Sequence, residues 1–168
     1  AYLFFARAVL QLCQELDWIP DIVHCNDWHT AFIPVLMREQ GDDVWSETGT
    51  IYTIHNLAYQ GEFGVETLDK VGLPRELFNM HQLETYGAVN FIKSGCVFSD
   101  QVNTVSETYA AEIQSHPEFG MGLEHVLRRR AADLSGIVNG IDTREWDPET
   151  DPHLPARYSA RDLSGKAV

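Results

Sequence analysis

Two short runs of β-branched and apolar residues, separated by a segment with helical periodicity, constrain the fold of this chain more than any other feature. The run "DIVHC" spans residues 21–25 and "GTIYTIH" spans residues 49–55, and both have the composition of strands. Between them, "DWHTAFIPVLMREQ" at residues 27–40 repeats apolar residues at helical spacing and contains Pro34. Strand, helix and strand in this order predict a βαβ unit with parallel strands.

The alternation continues along the chain. Apolar residues at helical spacing predict a first helix over residues 2–17, and glycines and prolines predict a loop-rich insertion over residues 56–83. Later segments are predicted as helix, strand, helix, helix and strand, over residues 88–100, 101–105, 106–114, 123–131 and 134–138. Strands spaced by helices predict an α/β fold, namely a Rossmann-like parallel sheet with helices on both faces.

Polar clusters follow each of the four predicted strands. They are "HCNDWH", "HNLAYQG", "SETY" and "NGID", in chain order. In open parallel sheets, ligands bind in the loops beyond the carboxyl ends of the strands. The four clusters therefore predict one binding site at that edge of the sheet.

Residue types in the first two clusters are compatible with more than one kind of site. Imidazole and carboxylate groups of His24, Asp27, His29 and His55 suit zinc or iron, although the spacing H-x-x-D-x-H matches no strong metal motif. Asp27 is also placed to cap the helix that follows it, and His24 alternates within an apolar strand as a core histidine would. The donors and acceptors of Asn56, Tyr59 and Gln60 suit a polyhydroxy ligand.

Composition argues against several function classes. The 25 acidic residues exceed the 12 Lys and Arg, and the formal charge of -13 would repel a nucleic acid backbone. Cys13, Cys25 and Cys96 form no CxxC pair, which favours free, buried thiols in a reducing compartment. No apolar run approaches the roughly 20 residues of a membrane span, so a soluble intracellular protein is expected. GxSxG, Walker and GxGxxG motifs are absent from the sequence.

Several linked motifs resemble one known family. They are "DIVHCNDWHTAFIP", "TIYTIHNLAYQGEF", "FNMHQLETYGAVNFIKSGCVFSDQVNTVSETYAAEI", "GMGLEHVL" and "LSGIVNGIDTREWDPETD". In order and spacing they resemble the N-terminal domain of bacterial glycogen synthases and plant starch synthases. The resemblance implies a GT-B glycosyltransferase that transfers glucose from ADP-glucose to the non-reducing end of an α-1,4-glucan with retention, without metal or other cofactor. It also implies a cytoplasmic protein, or a plastid protein in a plant.

The resemblance implies roles for individual residues. Asp27 and His55 match family positions beside the donor glucose and are expected to be the catalytic pair. The substrate-binding residues implied are Trp28, His29, Asn56, Tyr59, Gln60 and Asn139. Residues 1–145 are expected to form the acceptor-side domain, incomplete at its start, and residues 146–168 a Pro-rich extended segment leading toward a C-terminal domain.

Three departures from the family pattern leave alternatives open. The family's "KTGGL" loop and its nucleotide-binding C-terminal domain are not in this sequence, so an excerpt that is inactive alone is expected. The Cys25-Asn26 pair also replaces the Ala-His of many relatives. An isolated glucan-binding domain, a GT-B enzyme that uses UDP-glucose and a metal-dependent hydrolase built on Asp27, His29 and His55 are the alternatives.

Overall fold

The computed structural model describes residues 1–39 and 43–168. Residue 40, the last of the predicted second helix, lies outside these described residues. Contacts divide the chain into two compact units, residues 1–138 and residues 139–168. This division lies seven residues before the end predicted for the first domain at residue 145, which stays a prediction.

The first unit alternates strands and helices. Its strands are β1 (Ile22–Asn26), β2 (Gly49–Ile54), β3 (Glu62–Phe63), β4 (Glu84–Thr85), β5 (Ala88–Asn90), β6 (Gln101–Thr104) and β7 (Leu134–Gly136). Its helices are α1 (Tyr2–Glu15), α2 (Asp27–Thr30), α3 (Phe32–Glu39), α4 (Glu66–Lys70), α5 (Phe91–Phe98), α6 (Glu107–Ser115), α7 (Pro117–Gly120) and α8 (Glu124–Arg129). Short 3-10 turns occur at Asp43–Trp45 and Arg75–Leu77.

Four of these strands form a parallel sheet in the order β1-β2-β6-β7. A smaller antiparallel sheet has the order β3-β5-β4. The predicted fold class is confirmed, because the described chain is a mixed α/β structure whose parallel sheet is flanked by helices.

One face of the parallel sheet carries the apolar core. Cys25, Tyr52, Ile54 and Val102 are buried there. A Cβ atom on Gly95 of α5 would lie 2.5 Å from the Tyr52 ring, so only glycine lets this helix pack so closely on β2. Burial of the core side chains removes apolar surface from water, which is the main stabilising contribution to such a fold.

The other face of the sheet is polar. The ring of His24 lies 2.7 Å from Thr53 Oγ1, which donates to Asn103 Oδ1 at 2.5 Å. These bonds cross β1, β2 and β6. The interpretation of His24 as a buried core histidine is wrong, because the side chain is hydrogen-bonded but exposed. Alternation puts it on the face opposite the buried Cys25.

Two predicted helices differ from the observed elements. The segment over residues 27–40 is interrupted at Ala31, and Pro34 lies in the first turn of α3, where its missing N–H is tolerated. Residues 88–90 of the predicted helix 88–100 instead form β5. The helix begins only at Phe91, because the Asn90 side chain accepts a hydrogen bond from Lys93 N and caps it.

The second unit consists mainly of turns, with one 3-10 turn at Ser164–Ala167. Four aspartate carboxylates accept hydrogen bonds from backbone N–H groups two residues later, at Asp142, Asp147, Asp151 and Asp162. These bonds lower the pKa of the Asp142 and Asp162 carboxyl groups. Across the described residues of both units, no helix has the length and apolar character needed to cross a membrane.

Candidate functional site

The ends of β1 and β2 meet at Asp27 and His55. The Asp27 carboxylate accepts a hydrogen bond from the backbone N–H of His55 at 2.8 Å. The His55 ring lies 2.9 Å from Asn26 Oδ1. The structure therefore brings together the two residues that the sequence predicts as a catalytic pair, and one residue that sequence reasoning did not name.

Asp27 has an unusual backbone. Its φ of 54° lies in the left-handed region, which an aspartate tolerates better than most residues. The interpretation of Asp27 as a helix cap is wrong, since Asn26 is the N-cap residue and no side-chain capping bond forms. The Asn26 backbone is instead held by Thr30, whose hydroxyl accepts from Asn26 N at 2.6 Å and donates to Asn26 O at 2.8 Å. The carboxylate is thus directed at the next strand.

The first residues of the loop after β2 are held in place. Asn56 Oδ1 accepts from Ala58 N at 3.0 Å, and the hydroxyl of Tyr109 accepts from Leu57 N at 3.1 Å. Leu57 is fully buried, which anchors the loop on the core. Tyr59 is 67% exposed, so its ring is available at the surface of the loop.

Gln60 connects three segments of the chain. Its side-chain oxygen accepts from Asn90 Nδ2 at 2.5 Å, and its side-chain nitrogen donates to Met121 O at 3.1 Å. Its backbone oxygen accepts from Ile92 N at 3.0 Å. Gln60 therefore orders the loop in this structure, in addition to any role in contacting a ligand.

Trp28 and His29 lie in an aromatic cluster with Tyr2. The ring centroids of Trp28 and His29 are 4.3 Å apart. The ring centroid of Tyr2 lies 4.8 Å from that of Trp28 and 4.7 Å from that of His29. A Cβ atom on Gly61 would lie 2.5 Å from Trp28 Cε3, so this glycine lets the loop pack on the indole. Trp28 also lines an apolar cleft of about 410 Å³ with Phe63 and Phe91.

The remaining predicted site residue belongs to the second unit. Asn139 is its first residue and is exposed.

The polar cluster "SETY" caps α6, because Ser106 Oγ accepts from Tyr109 N at 3.3 Å. A Cβ atom on Gly136 would lie 2.3 Å from Ser106 O, so the end of β7 lies directly beside this turn.

The thiol next to the site is protonated at neutral pH. Burial raises the pKa of the Cys25 thiol to about 12, although a hydrogen bond with Thr30 opposes this. A protonated, buried thiol is a poor nucleophile. Within residues 1–39 and 43–168, no three His, Cys, Asp or Glu side chains are grouped so as to hold a metal ion.

Sequence reasoning missed the partners that position the site. Asn26, Thr30, Asn90 and Met121 make the hydrogen bonds described above, and none of them is a predicted site residue. Asn90 precedes an apolar run and carries the signal of an N-cap, which would have moved the start of α5 to Phe91.

Comparison with known proteins identifies the family. Residues 1–129 match the family model described as the starch synthase catalytic domain. The chain belongs to this family. The family consists of glycosyltransferases, and the resemblance derived from the sequence motifs is confirmed.

Individual relatives agree with this assignment. The chain is 51% identical over 169 residues to a glycogen synthase of Anaeromyxobacter sp. and 50% identical to glycogen synthase 2 of Geobacter sulfurreducens. Each match covers 99% of this chain and 35% of the relative, so the chain spans about a third of their length.

A solved structure gives the same result for the fold. The catalytic domain of starch synthase IV from Arabidopsis thaliana, bound to ADP and acarbose, matches with a TM-score of 0.81 and 37% identity. The match covers 98% of this chain and 34% of that structure. It confirms the predicted Rossmann-like domain of a GT-B fold.

Proposed function

We propose that this chain is the acceptor-side part of an ADP-glucose-dependent glucan synthase. The reaction transfers glucose from ADP-glucose to the 4-hydroxyl at the non-reducing end of an α-1,4-glucan and retains the anomeric configuration. Because the chain spans 35% of its relatives, the nucleotide is expected to be held largely by residues beyond this sequence. The observation that carries the proposal is the hydrogen bond that the backbone N–H of His55 donates to the Asp27 carboxylate.

This bond suits a pocket that positions a sugar. A carboxylate that accepts from the His55 N–H fixes the peptide between Ile54 and His55. The contact of the His55 ring with Asn26 Oδ1 fixes where that ring lies. A transferred glucose needs several donors and acceptors in fixed places, because misplacement of a reactant by 1 Å costs a large part of the rate. The exposed ring of His55 and the partly exposed carboxylate of Asp27 supply such groups at the edge of the sheet where ligands bind.

The proposed chemistry needs no nucleophile from this chain. The bond between the anomeric carbon and the ADP β-phosphate oxygen breaks, and a bond to the acceptor 4-oxygen forms on the same face of the sugar. The acceptor proton moves to the departing phosphate oxygen. The protein then positions the reactants and stabilises an oxocarbenium-like charge. The absence of a reactive thiol at Cys25 agrees with this division of roles.

The acceptor is proposed to lie along the loop after β2. Tyr59 is exposed, and the Asn56 side chain is exposed beside it. Trp28 and His29 are partly exposed and present ring surface on which a pyranose can stack. The relative from Arabidopsis thaliana was solved with ADP and acarbose, which supports a nucleotide and an oligosaccharide as the ligand classes.

The test is an assay on the full-length protein that contains this chain. ADP-[14C]glucose and UDP-[14C]glucose are offered separately with glycogen, and the labelled product is digested with β-amylase, which releases maltose only from α-1,4-linked ends. Incorporation from ADP-glucose that β-amylase releases is the expected result. Incorporation from UDP-glucose alone, or label resistant to β-amylase, would contradict the proposed donor or the retention. Glucan binding without incorporation would leave only a binding module.

A further inference from the structure

A second pocket lies in the first unit, away from Asp27 and His55. It has a volume of about 260 Å³ and is formed by the hairpin of β4 and β5 together with α5 and α8. Its lining residues are Met80, Glu84, Thr85, Tyr86, Lys93 and His125. We propose that this pocket binds one glucosyl unit of the acceptor glucan, at a distance from the reacting end.

The Thr85 hydroxyl is the first observation in support. Thr85 is 6% exposed, and its Oγ1 atom is buried without a hydrogen-bond partner in the part of the chain that the structure describes. A buried hydroxyl without a partner is unfavourable, and nearly all such groups in folded proteins are paired. Because Thr85 lines the pocket, a ligand hydroxyl there would supply the missing partner.

Lys93 provides a buried donor at the same place. Its side chain is 2% exposed, and Nζ donates to the backbone oxygens of Met80 and Glu84 at 2.6 Å and 2.5 Å. An ammonium group has three N–H donors, so these two bonds leave one donor for a ligand. Burial lowers the pKa of Lys93, while the nearby Glu84 carboxylate opposes this shift.

Tyr86 supplies an exposed aromatic face. It is 82% exposed and has a φ of 49°, a left-handed conformation that is strained for a tyrosine. A Cβ atom on Gly122 would lie 2.8 Å from Tyr86 Cε2, so the ring leans against the backbone of the segment between α7 and α8. Strain of this kind persists where the surrounding structure imposes it, and it is concentrated at functional sites.

These groups suit a neutral sugar better than an anion. The hydroxyl of Thr85 and the ring of His125 can each donate or accept, which matches the dual character of sugar hydroxyls. Glu84 contributes a carboxylate that would repel a phosphate, and one of its oxygens already accepts from Gly87 N at 2.7 Å. The Tyr86 ring offers an apolar face for a pyranose to stack on.

The pocket is connected to the proposed acceptor side. Gly122 contacts Tyr86, and its neighbour Met121 accepts a hydrogen bond from Gln60. Met121 is also left-handed, with a φ of 47°. This inference rests on the proposed function for its choice of ligand, whereas the pocket itself rests on the contacts of Thr85, Tyr86 and Lys93.

The test compares short and long acceptors in the full-length protein. Thr85→Val removes the hydroxyl without changing the side-chain shape, and Tyr86→Asn removes the ring but tolerates the left-handed backbone. The matched controls are Tyr86→Phe, which keeps the aromatic face, and Thr150→Val, on an exposed position of the second unit. The KM and kcat for maltotriose and maltoheptaose, and the KM for ADP-glucose, are measured for each variant.

The expected result is a KM for maltoheptaose that rises about threefold in Thr85→Val and about tenfold in Tyr86→Asn, in line with the loss of one hydrogen bond and one stacking contact. The KM for maltotriose, the KM for ADP-glucose and kcat are expected to stay at wild-type values. Both controls are expected to behave as wild type.

Several outcomes would overturn the inference. The first is a KM for maltoheptaose that is unchanged in both variants. The second is a KM that rises equally for maltotriose and maltoheptaose. The third is competitive inhibition by inorganic phosphate against maltoheptaose that is lost in the two variants. If the wild-type protein shows no transfer from ADP-glucose, equilibrium titration with maltoheptaose separates the two proposals. Weaker binding in Thr85→Val would then support the pocket although the proposed function has failed, and equal binding would overturn the pocket as well.

Discussion

The Asp27 carboxylate bonds to the backbone N–H of His55 across 2.8 Å, and so joins the ends of two neighbouring parallel strands. The register of β1 and β2 pairs Asn26 with Thr53, which puts Asp27 and His55 just beyond the last paired residues. The geometry of the candidate site therefore follows from strand pairing.

Replacement of Gly61 by alanine is expected to be more destabilising than the same change at Gly87. Both glycines have positive φ, 67° and 82°, so alanine is strained at either position. A Cβ at Gly61 would also overlap Trp28, whereas a Cβ at Gly87 meets nothing within 4 Å. Chemical denaturation is expected to show a loss of about 1–2 kcal/mol for Gly87→Ala and about 1–3 kcal/mol more for Gly61→Ala.

Equal losses of unfolding free energy in Gly61→Ala and Gly87→Ala would contradict the close approach of the loop to Trp28. The KM for the short acceptor maltotriose is a second measurement. It is expected to rise in Gly61→Ala and to be unchanged in Gly87→Ala, because only Gly61 lies in the loop after β2.

Asn90→Ala is expected to destabilise the fold more than Ser106→Ala. Each residue caps a helix, but Asn90 also donates to Gln60 and is fully buried. Loss of a cap costs about 1 kcal/mol, and loss of the hydrogen bond to the partly buried Gln60 costs about 0.5–1.5 kcal/mol more. Urea unfolding of the two variants measures the difference, and a smaller loss in Asn90→Ala than in Ser106→Ala would refute the role of the bond to Gln60.

The sequence predicts those parts of the fold and of the candidate site that depend on residues close together in the chain. The strands and their polar ends were predictable, since periodicity and β-branched residues mark them locally, and parallel strands bring Asp27 and His55 to one edge. The contacts of Gln60 with Asn90 and Met121 were not, because they link residues 30 and 61 positions apart. They depend on how the loop packs against α5 and α7.

Tertiary contacts override the local sequence signals at residues 88–90 and at Asp27. Residues 88–90 have helical periodicity with those that follow, yet pairing with β3 and β4 makes them a strand. Asp27 stands in a typical capping position, but the bond to His55 and the left-handed backbone take precedence. The unpaired hydroxyl of Thr85 has no signal in the sequence, because only its burial makes it unusual.

Stability is expected to fall above pH 9 because of buried thiols. Burial raises the pKa of Cys25 and Cys96 from 9.0 to about 12. Between these values the unfolded chain loses the thiol protons while the folded chain keeps them, so the stabilisation present below pH 9 is lost as the pH rises. Each thiol contributes up to about 1.4 kcal/mol per pH unit in this range.

The measurement is the free energy of unfolding at pH 8 and pH 10, in the wild type and in the double variant Cys25→Ala/Cys96→Ala. The cavities left by the double variant lower its stability at both pH values, so the readout is the difference between the two pH values. A smaller difference in the double variant is expected. An unchanged difference would show that these thiols do not govern the loss.

The most direct test of the central claim is the rate of glucose transfer from ADP-glucose to glycogen by full-length protein carrying Asp27→Ala. Asp17→Ala is the matched control, because Asp17 also has a positive φ, 50° against 54° for Asp27, and lies at the end of α1 away from the site. If the bond to His55 positions the transferred sugar, kcat falls about 100-fold or more in Asp27→Ala and is unchanged in Asp17→Ala. Equal transfer rates in the two variants would contradict the account.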